Sequence, residues 1–255
     1  MYHRFLIIPI SFPRWALISI NQRCPKLEDQ TPALKPGDLN KMFERIVETA
    51  PGNRTLTSDE RKKLEENEMT EYSVLVLSRP SDEPATEISE ENDKLPPWVV
   101  VFENFLTEEE CTALIQHGFD AGYNISADVG EEQFDGSFSS NVNNRRTSEN
   151  AWCSEHLGCR NQTVPTRVQN RMAKVMNIPA TNSEDLQILR YELGQFYRTH
   201  HDFIPHQVDR QCGPRILTFL YVFQKCVFFF QKFFFSCYFA LCLVLSLYLS
   251  DVDQG

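Results

Sequence analysis

The sequence predicts an α+β fold. Two helical patterns, one opening after Thr107 and one following Pro165, lead into apolar strands from Leu186, and turn-forming "LG" and "CGP" separate those strands. Helices leading into several strands make the sheet the working part of the molecule.

Residues 21–77 read as a polar amino-terminal region. Within it "GDLNKMFERIVE" (37–48) has the spacing of a short amphipathic helix, and "TSDERKKLEENE" (57–68) that of a charged, solvated one. Neither carries chemistry. "SRPSDEPATEISEENDKLPP" (78–97) is acidic, contains proline and has almost no large apolar residue, so it reads as a linker with the folded domain beginning near Trp98. "WVVVFENFL" (98–106) is a strand. Thr107 and Glu110 form a Thr-x-x-Glu capping box that opens a helix running to about Gly122. A second helix follows Pro165, with Val168, Met172 and Val175 on one face as core residues. The predicted strands are 186–192, 195–203 and 215–221.

A chain of 255 residues with 42% hydrophobic and 12% aromatic content can bury a substantial core. Its net charge of −10 opposes a nucleic-acid backbone, so no nucleic-acid partner is expected. The eight cysteines lack paired Cys-x-x-Cys spacing, which argues against a zinc ribbon. Cys153 and Cys159 flank a short polar loop; they either close a disulfide in an oxidising compartment or remain two buried thiols. Glycosylation triplets at Asn53, Asn124 and Asn161 matter only if the chain enters the secretory pathway. Arg4 followed by apolar residues to Ile20 has the layout of a signal peptide or signal anchor (1–20), interrupted by Pro9, Pro13 and Arg14.

The chemistry concentrates in "LRYELGQFYRTHHDF" (189–203). If residues 195–203 are extended, alternate side chains share a face, so His200 and Asp202 project together and His201 points away. An imidazole and a carboxylate so placed are two corners of the two-His, one-carboxylate triad of non-haem iron. The competing reading is an exposed polar strand.

"DLQILRYELGQFYRTHHDF", preceded by "NRRTS" (144–148) and followed by "CGPRILTFLY" (212–221), resembles the catalytic domain of prolyl 4-hydroxylases, the Fe(II)- and 2-oxoglutarate-dependent dioxygenases. The resemblance covers roughly residues 98–221 and implies a double-stranded β-helix, or jelly roll, on which the helices pack. It implies His200 and Asp202 as iron ligands and Tyr191 as a partner of 2-oxoglutarate. It places Arg146, Ser148 and Tyr197 at the peptide-binding face, with Glu184 and Arg215 in catalytic positions. The implied reaction is hydroxylation of peptidyl proline at C4, with O2 and 2-oxoglutarate consumed and ascorbate maintaining the iron. The implied substrate is a proline-rich or collagen-like polypeptide, and the implied location is the endoplasmic reticulum, in its lumen or at its membrane.

The resemblance breaks after Tyr221. Residues 222–248, "VFQKCVFFFQKFFFSCYFALCLVLSLY", are an apolar insert, and family-like sequence resumes at "LSDVDQG" (249–255). Joining Tyr221 to Leu249 restores "LTFLYLSDVDQG", which points to a retained intron. Read instead as protein, the uncharged run 233–249 has about the minimum length for a membrane helix. A membrane contact is thus expected either there or through the amino-terminal segment. No histidine of the sequence given stands where the resemblance puts the distal ligand, and the basic 2-oxoglutarate anchor is missing too, so this chain is expected to bind iron weakly and to lack turnover. Two alternatives stand beside this reading: a 2-oxoglutarate dioxygenase with another substrate, and a non-catalytic membrane-anchored or peptide-binding protein.

Overall fold

A computed structural model of the chain describes residues 35, 37–80, 97–132, 138–202, 215–226 and 237–248. The signal-like segment 1–20, residues 81–96 of the acidic linker and the resumed sequence 249–255 lie outside the described residues.

Four helices form where the patterning places them: α1 (Asp38–Thr49), α2 (Ser58–Glu66), α3 (Glu108–Ala121) and α4 (Thr163–Met176). The Thr107–Glu110 box opens α3, and a second box, Thr57–Glu60, opens α2. Gly122 ends α3 with φ 82°, a left-handed backbone that costs glycine least. α4 starts at Thr163, two residues before the expected Pro165, because proline is tolerated in a first turn where no intrahelical N–H is required. Val168, Met172 and Val175 are buried as their spacing predicts, alongside Leu114 of α3.

Among the described residues nine strands make three sheets. β1 (Ser73–Ser78) pairs with β2 (Val99–Glu103), β4 (Asp128–Glu132) pairs with β5 (Phe138–Asn141), and a five-stranded sheet has the order β3-β6-β7-β9-β8. Its strands are β3 (Asn124–Ile125), β6 (Glu149–Cys153), β7 (Leu186–Tyr191), β8 (Arg215–Cys226) and β9 (Cys237–Tyr248). Every pairing in it is antiparallel. Helices with antiparallel sheets bear out the α+β class; no closed barrel forms among the described residues, and a jelly roll is not established.

Partners across an antiparallel pair share a face, which gives the large sheet two distinct sides. Ala151 pairs with Ile188 and Cys153 with Leu186, and all four are buried with the helices. The other side carries Gln187 and Leu189 of β7, then, through the β9 register, Thr218 and Leu220 of β8. Alternation puts Tyr191 on this second side as well.

Three expectations are revised. The region before Trp98 is not a detached polar segment. β1 pairs directly with β2, and Met42, Ile46, Tyr72 and Val74 enter the same buried cluster as Phe105, Val168 and Phe219. The signal was weak because α1 and β1 each bury only one apolar face. Residues 237–248 form a strand rather than a membrane helix, with backbone hydrogen bonds going to β7 and β8 on either side. Among the described residues no helix is long and apolar enough to cross a membrane. Finally, 195–202 is not a regular strand; its only bridge joins Tyr197 to Arg146.

Cys153 and Cys159 are disulfide-bonded, with Cα atoms 4.8 Å apart, and both residues are buried. The bridge ties the end of β6 to the turn before α4. Because the loop is short, reduction should cost roughly 2 kcal/mol of stability by the chain-entropy argument. Urea unfolding with and without a thiol reductant checks this, with a lower midpoint expected on reduction.

Candidate metal and co-substrate site

After β7 the chain turns through Leu193 and Gly194, the latter with φ 88°. It then runs against the segment before β6. The Thr147 N–H donates to the Phe196 carbonyl at 3.0 Å, and the Phe196 N–H donates to Thr147 Oγ1 at 2.9 Å. The Arg198 N–H donates to the Arg145 carbonyl at 2.9 Å, while Arg145 Nη2 reaches the Thr199 carbonyl at 3.3 Å. Two segments about fifty residues apart in sequence thereby fix each other just ahead of His200.

His200 and Asp202 come together as alternation requires, although the backbone is a hydrogen-bonded loop. His200 Nε2 lies 3.2 Å from Asp202 Oδ1. His200 Nδ1 donates to the Arg198 carbonyl at 2.8 Å, which leaves Nε2 as the ring atom that faces the carboxylate. Asp202 Oδ2 accepts from Thr218 Oγ1 of β8 at 2.5 Å. His201 is exposed.

Arg215, the first residue of β8, holds Glu184 through two bonds, Nε to Oε1 at 2.9 Å and Nη2 to Oε2 at 3.1 Å. Burial raises the Glu184 pKa, the Arg215 charge opposes that rise without cancelling it, and Asp202 adds to it. Glu184, Arg215 and Asp202 therefore interact within one electrostatic neighbourhood.

Arg146 is buried and lies over Tyr197, its guanidinium carbon 4.6 Å from the ring centroid. Ser148 is buried and donates to Ser126 Oγ at 3.1 Å. Tyr191 stands apart from these groups along the strands. It pairs with Ala240 of β9, whereas Thr218 pairs with Ser246, so the two lie toward opposite ends of β9. The structure thus brings His200, Asp202, Tyr197 and Arg146 into linked contacts, holds Glu184 and Arg215 as a pair of their own that Asp202 influences electrostatically, and leaves Tyr191 on the same face as Thr218 but at a distance from it.

Two participants escape sequence reasoning. Thr218 is an exposed hydroxyl in the apolar run "ILTFLY", and nothing in that run marks it as a partner of Asp202. Asp128 accepts from Tyr197 Oη at 2.9 Å and from Asn143 Nδ2 at 2.9 Å, and nothing in its sequence surroundings marks it.

The donor set suits a divalent metal. It offers one imidazole nitrogen and one carboxylate oxygen side by side, each with its remaining polar atom engaged. Among the described residues no three His, Cys, Asp or Glu side chains converge, so the site holds two of the ligands a facial triad requires.

The chain is similar to several curated proteins. The chain is 31% identical over 160 residues to "Probable prolyl 4-hydroxylase 8" of Arabidopsis thaliana, covering 62% of this chain and 43% of the relative. It is 31% identical over 160 residues to "Prolyl 4-hydroxylase 5" of the same plant, with the same coverage of both chains. It is 32% identical over 125 residues to "Prolyl 4-hydroxylase 2", covering 49% of this chain and 39% of the relative. These matches support a prolyl 4-hydroxylase-like family member. No protein-family model matches it. This prolyl 4-hydroxylase-like chain spans less than half the length of the curated relatives it matches.

Proposed function

We propose that this chain carries the proximal half of the active site of an Fe(II)- and 2-oxoglutarate-dependent dioxygenase acting on peptidyl proline at C4. The observation that carries the reading is the His200–Asp202 pair, with the imidazole proton committed to the Arg198 carbonyl and Nε2 left available. When bound, iron with 2-oxoglutarate and O2 supplies an oxidation that replaces a C–H of the proline ring by C–OH, while 2-oxoglutarate leaves as succinate and CO2; ascorbate keeps the metal reduced.

The residues divide the remaining work. His200 and Asp202 hold the metal, and Thr218 orients the carboxylate. Glu184 fixes the Arg215 fork, which offers paired donors to a peptide carbonyl or carboxylate. Arg146, Ser148 and Tyr197 border the side on which a proline-rich or collagen-like polypeptide enters. Tyr191, on the same face of the sheet, is assigned to the co-substrate carboxylate. The Cys153–Cys159 bridge supports the endoplasmic reticulum as the compartment, since such bonds persist in oxidising surroundings.

A second reading, peptide binding without turnover, is favoured by one observation: two ligands rather than three meet among the described residues. Incubation with Fe(II), 2-oxoglutarate, ascorbate and a proline-rich peptide separates the readings. It should be run on the 255-residue chain and on one extended through a distal histidine and basic residue. The expected result is weak metal binding by the first and peptide oxygenation coupled to succinate release by the second. Succinate without peptide oxygenation would indicate another substrate, and peptide binding without turnover in either would indicate the non-catalytic reading.

A further inference from the structure

The geometry points to Tyr197 as a positioning residue for the metal-ligand imidazole, clamped between Arg146 and His200 and moored to Asp128. This inference rests on the assignment of His200 as a ligand and deepens it. The Tyr197 and His200 rings stack with centroids 3.6 Å apart and planes 19° from parallel. The Arg146 guanidinium lies 4.6 Å from the same phenol ring. A cation over an aromatic face is favourable, more so when desolvated, and Arg146 is only 8% exposed.

Arg146 is itself fixed. Its Nη1 donates to the Ala127 carbonyl at 3.1 Å, and its backbone bridges to Tyr197. Its Nε has no hydrogen-bond partner among the described residues, so the ring is a main recipient of that charge. The phenol hydroxyl is also committed, donating to Asp128 Oδ1 at 2.9 Å. Asp128 is held in turn by Asn143, and, against the effect of burial, these bonds keep its carboxyl below the ordinary range. Burial first, and then the Asp128 bond, push the Tyr197 phenol up to about 12, so it stays a neutral donor.

With its hydroxyl bonded and a cation and an imidazole stacked on it, Tyr197 has little left to offer a peptide. What it can do is restrict the His200 ring. The bond from Nδ1 to the Arg198 carbonyl fixes one ring atom but leaves the plane free to tilt about it. A parallel phenol at stacking distance removes that freedom and holds Nε2 toward Asp202.

The test pairs Tyr197→Phe with Tyr197→Leu. Phenylalanine keeps the stack and loses only the mooring; leucine loses the stack. Proton NMR of the His200 ring reads the geometry without metal, since a stacked phenol shifts the imidazole protons upfield. Calorimetric titration with Co(II) alone reads the consequence. The expected result is a retained upfield shift and near wild-type Co(II) affinity for Y197F, against loss of the shift and roughly tenfold weaker binding for Y197L, the scale of losing an outer partner of a metal ligand.

Equal affinity in Y197L and wild type, or equal loss in Y197F and Y197L, would overturn the inference. Asp128→Asn guards against a misfolded Y197L by leaving the ring in place and weakening only the mooring. Like Y197F it should keep the His200 upfield shift and near wild-type Co(II) affinity, and loss of either would also count against the inference. His200→Ala keeps the two levels apart: if it leaves Co(II) binding intact, the ligand assignment fails, and if it abolishes binding while Y197L does not, only the positioning role fails.

Discussion

Replacing Arg171 with methionine should lower the unfolding free energy by about 3–5 kcal/mol, the largest stability loss expected from a single substitution in this chain. Arg171 of α4 and Glu110 of α3 are both almost fully buried and are joined by two hydrogen bonds, Nη1 to Oε2 at 2.7 Å and Nη2 to Oε1 at 2.8 Å. Arg171 also donates to the Phe105 carbonyl at 2.8 Å and to the Glu68 carbonyl at 2.8 Å. One guanidinium thereby joins α3, α4, the turn after β2 and the segment after α2. Removing it strands a buried carboxylate and the Glu68 carbonyl, and leaves the Phe105 carbonyl with only its bond from Thr70 Oγ1. Arg167 cannot substitute, being 3.8 Å from Glu110 and one-third exposed. Urea unfolding checks the size of the loss, and the double variant E110L/R171M should recover much of it. The residue lost in recovery is the capping bond that Glu110 makes to the Thr107 N–H, worth about 1 kcal/mol.

The same pair predicts an acid limb. Burial raises the Glu110 pKa, but the Arg171 and Thr107 bonds more than offset it, and the carboxyl sits below its ordinary value. A depressed carboxylate contributes stability that is fully present above its unfolded pKa, near ~4.3, and is lost as pH falls through the folded value. In R171M the sign reverses, because an unpaired buried carboxyl prefers its proton. The gap between wild type and variant should therefore be wide at neutral pH and narrow below about pH 4.

The second large effect concerns the metal. His200→Ala removes the only ring nitrogen facing Asp202, and Asp202→Ala removes both the carboxylate and the acceptor of Thr218. With two protein ligands present among the described residues, loss of either leaves a single donor, which does not hold a divalent ion against water. The loss should exceed the roughly 10–100-fold cost of removing an outer hydrogen-bond partner. His201→Ala should change nothing, since that side chain is exposed and outside the pair.

Much of this site is legible in the sequence, and the reason is period. Two-residue alternation alone selects His200 over His201, and it does so even though 195–202 is a loop, because the backbone there stays extended enough to bridge Arg146. The helices are equally legible where one apolar stripe meets a cap, as at Thr107–Glu110 and along Val168, Met172 and Val175. Pairing between distant segments is not legible. Nothing local says that Asp128 will meet Tyr197, that Thr218 will meet Asp202, or that Ser73–Ser78 will pair with Val99–Glu103 across an acidic connection. The run 233–249 misleads for a related reason: an uncharged apolar stretch suits a membrane helix and a strand flanked on both sides alike, and only the partner strands of 237–248 decide.

Calorimetric titration of Fe(II) under anaerobic conditions into the wild-type chain, H200A, D202A and H201A tests the central claim most directly. The account predicts one weak site in the wild type, retained in H201A and lost in H200A and D202A, with all four proteins equally folded. Loss of the site in H201A, or its survival in H200A and D202A, would contradict the account.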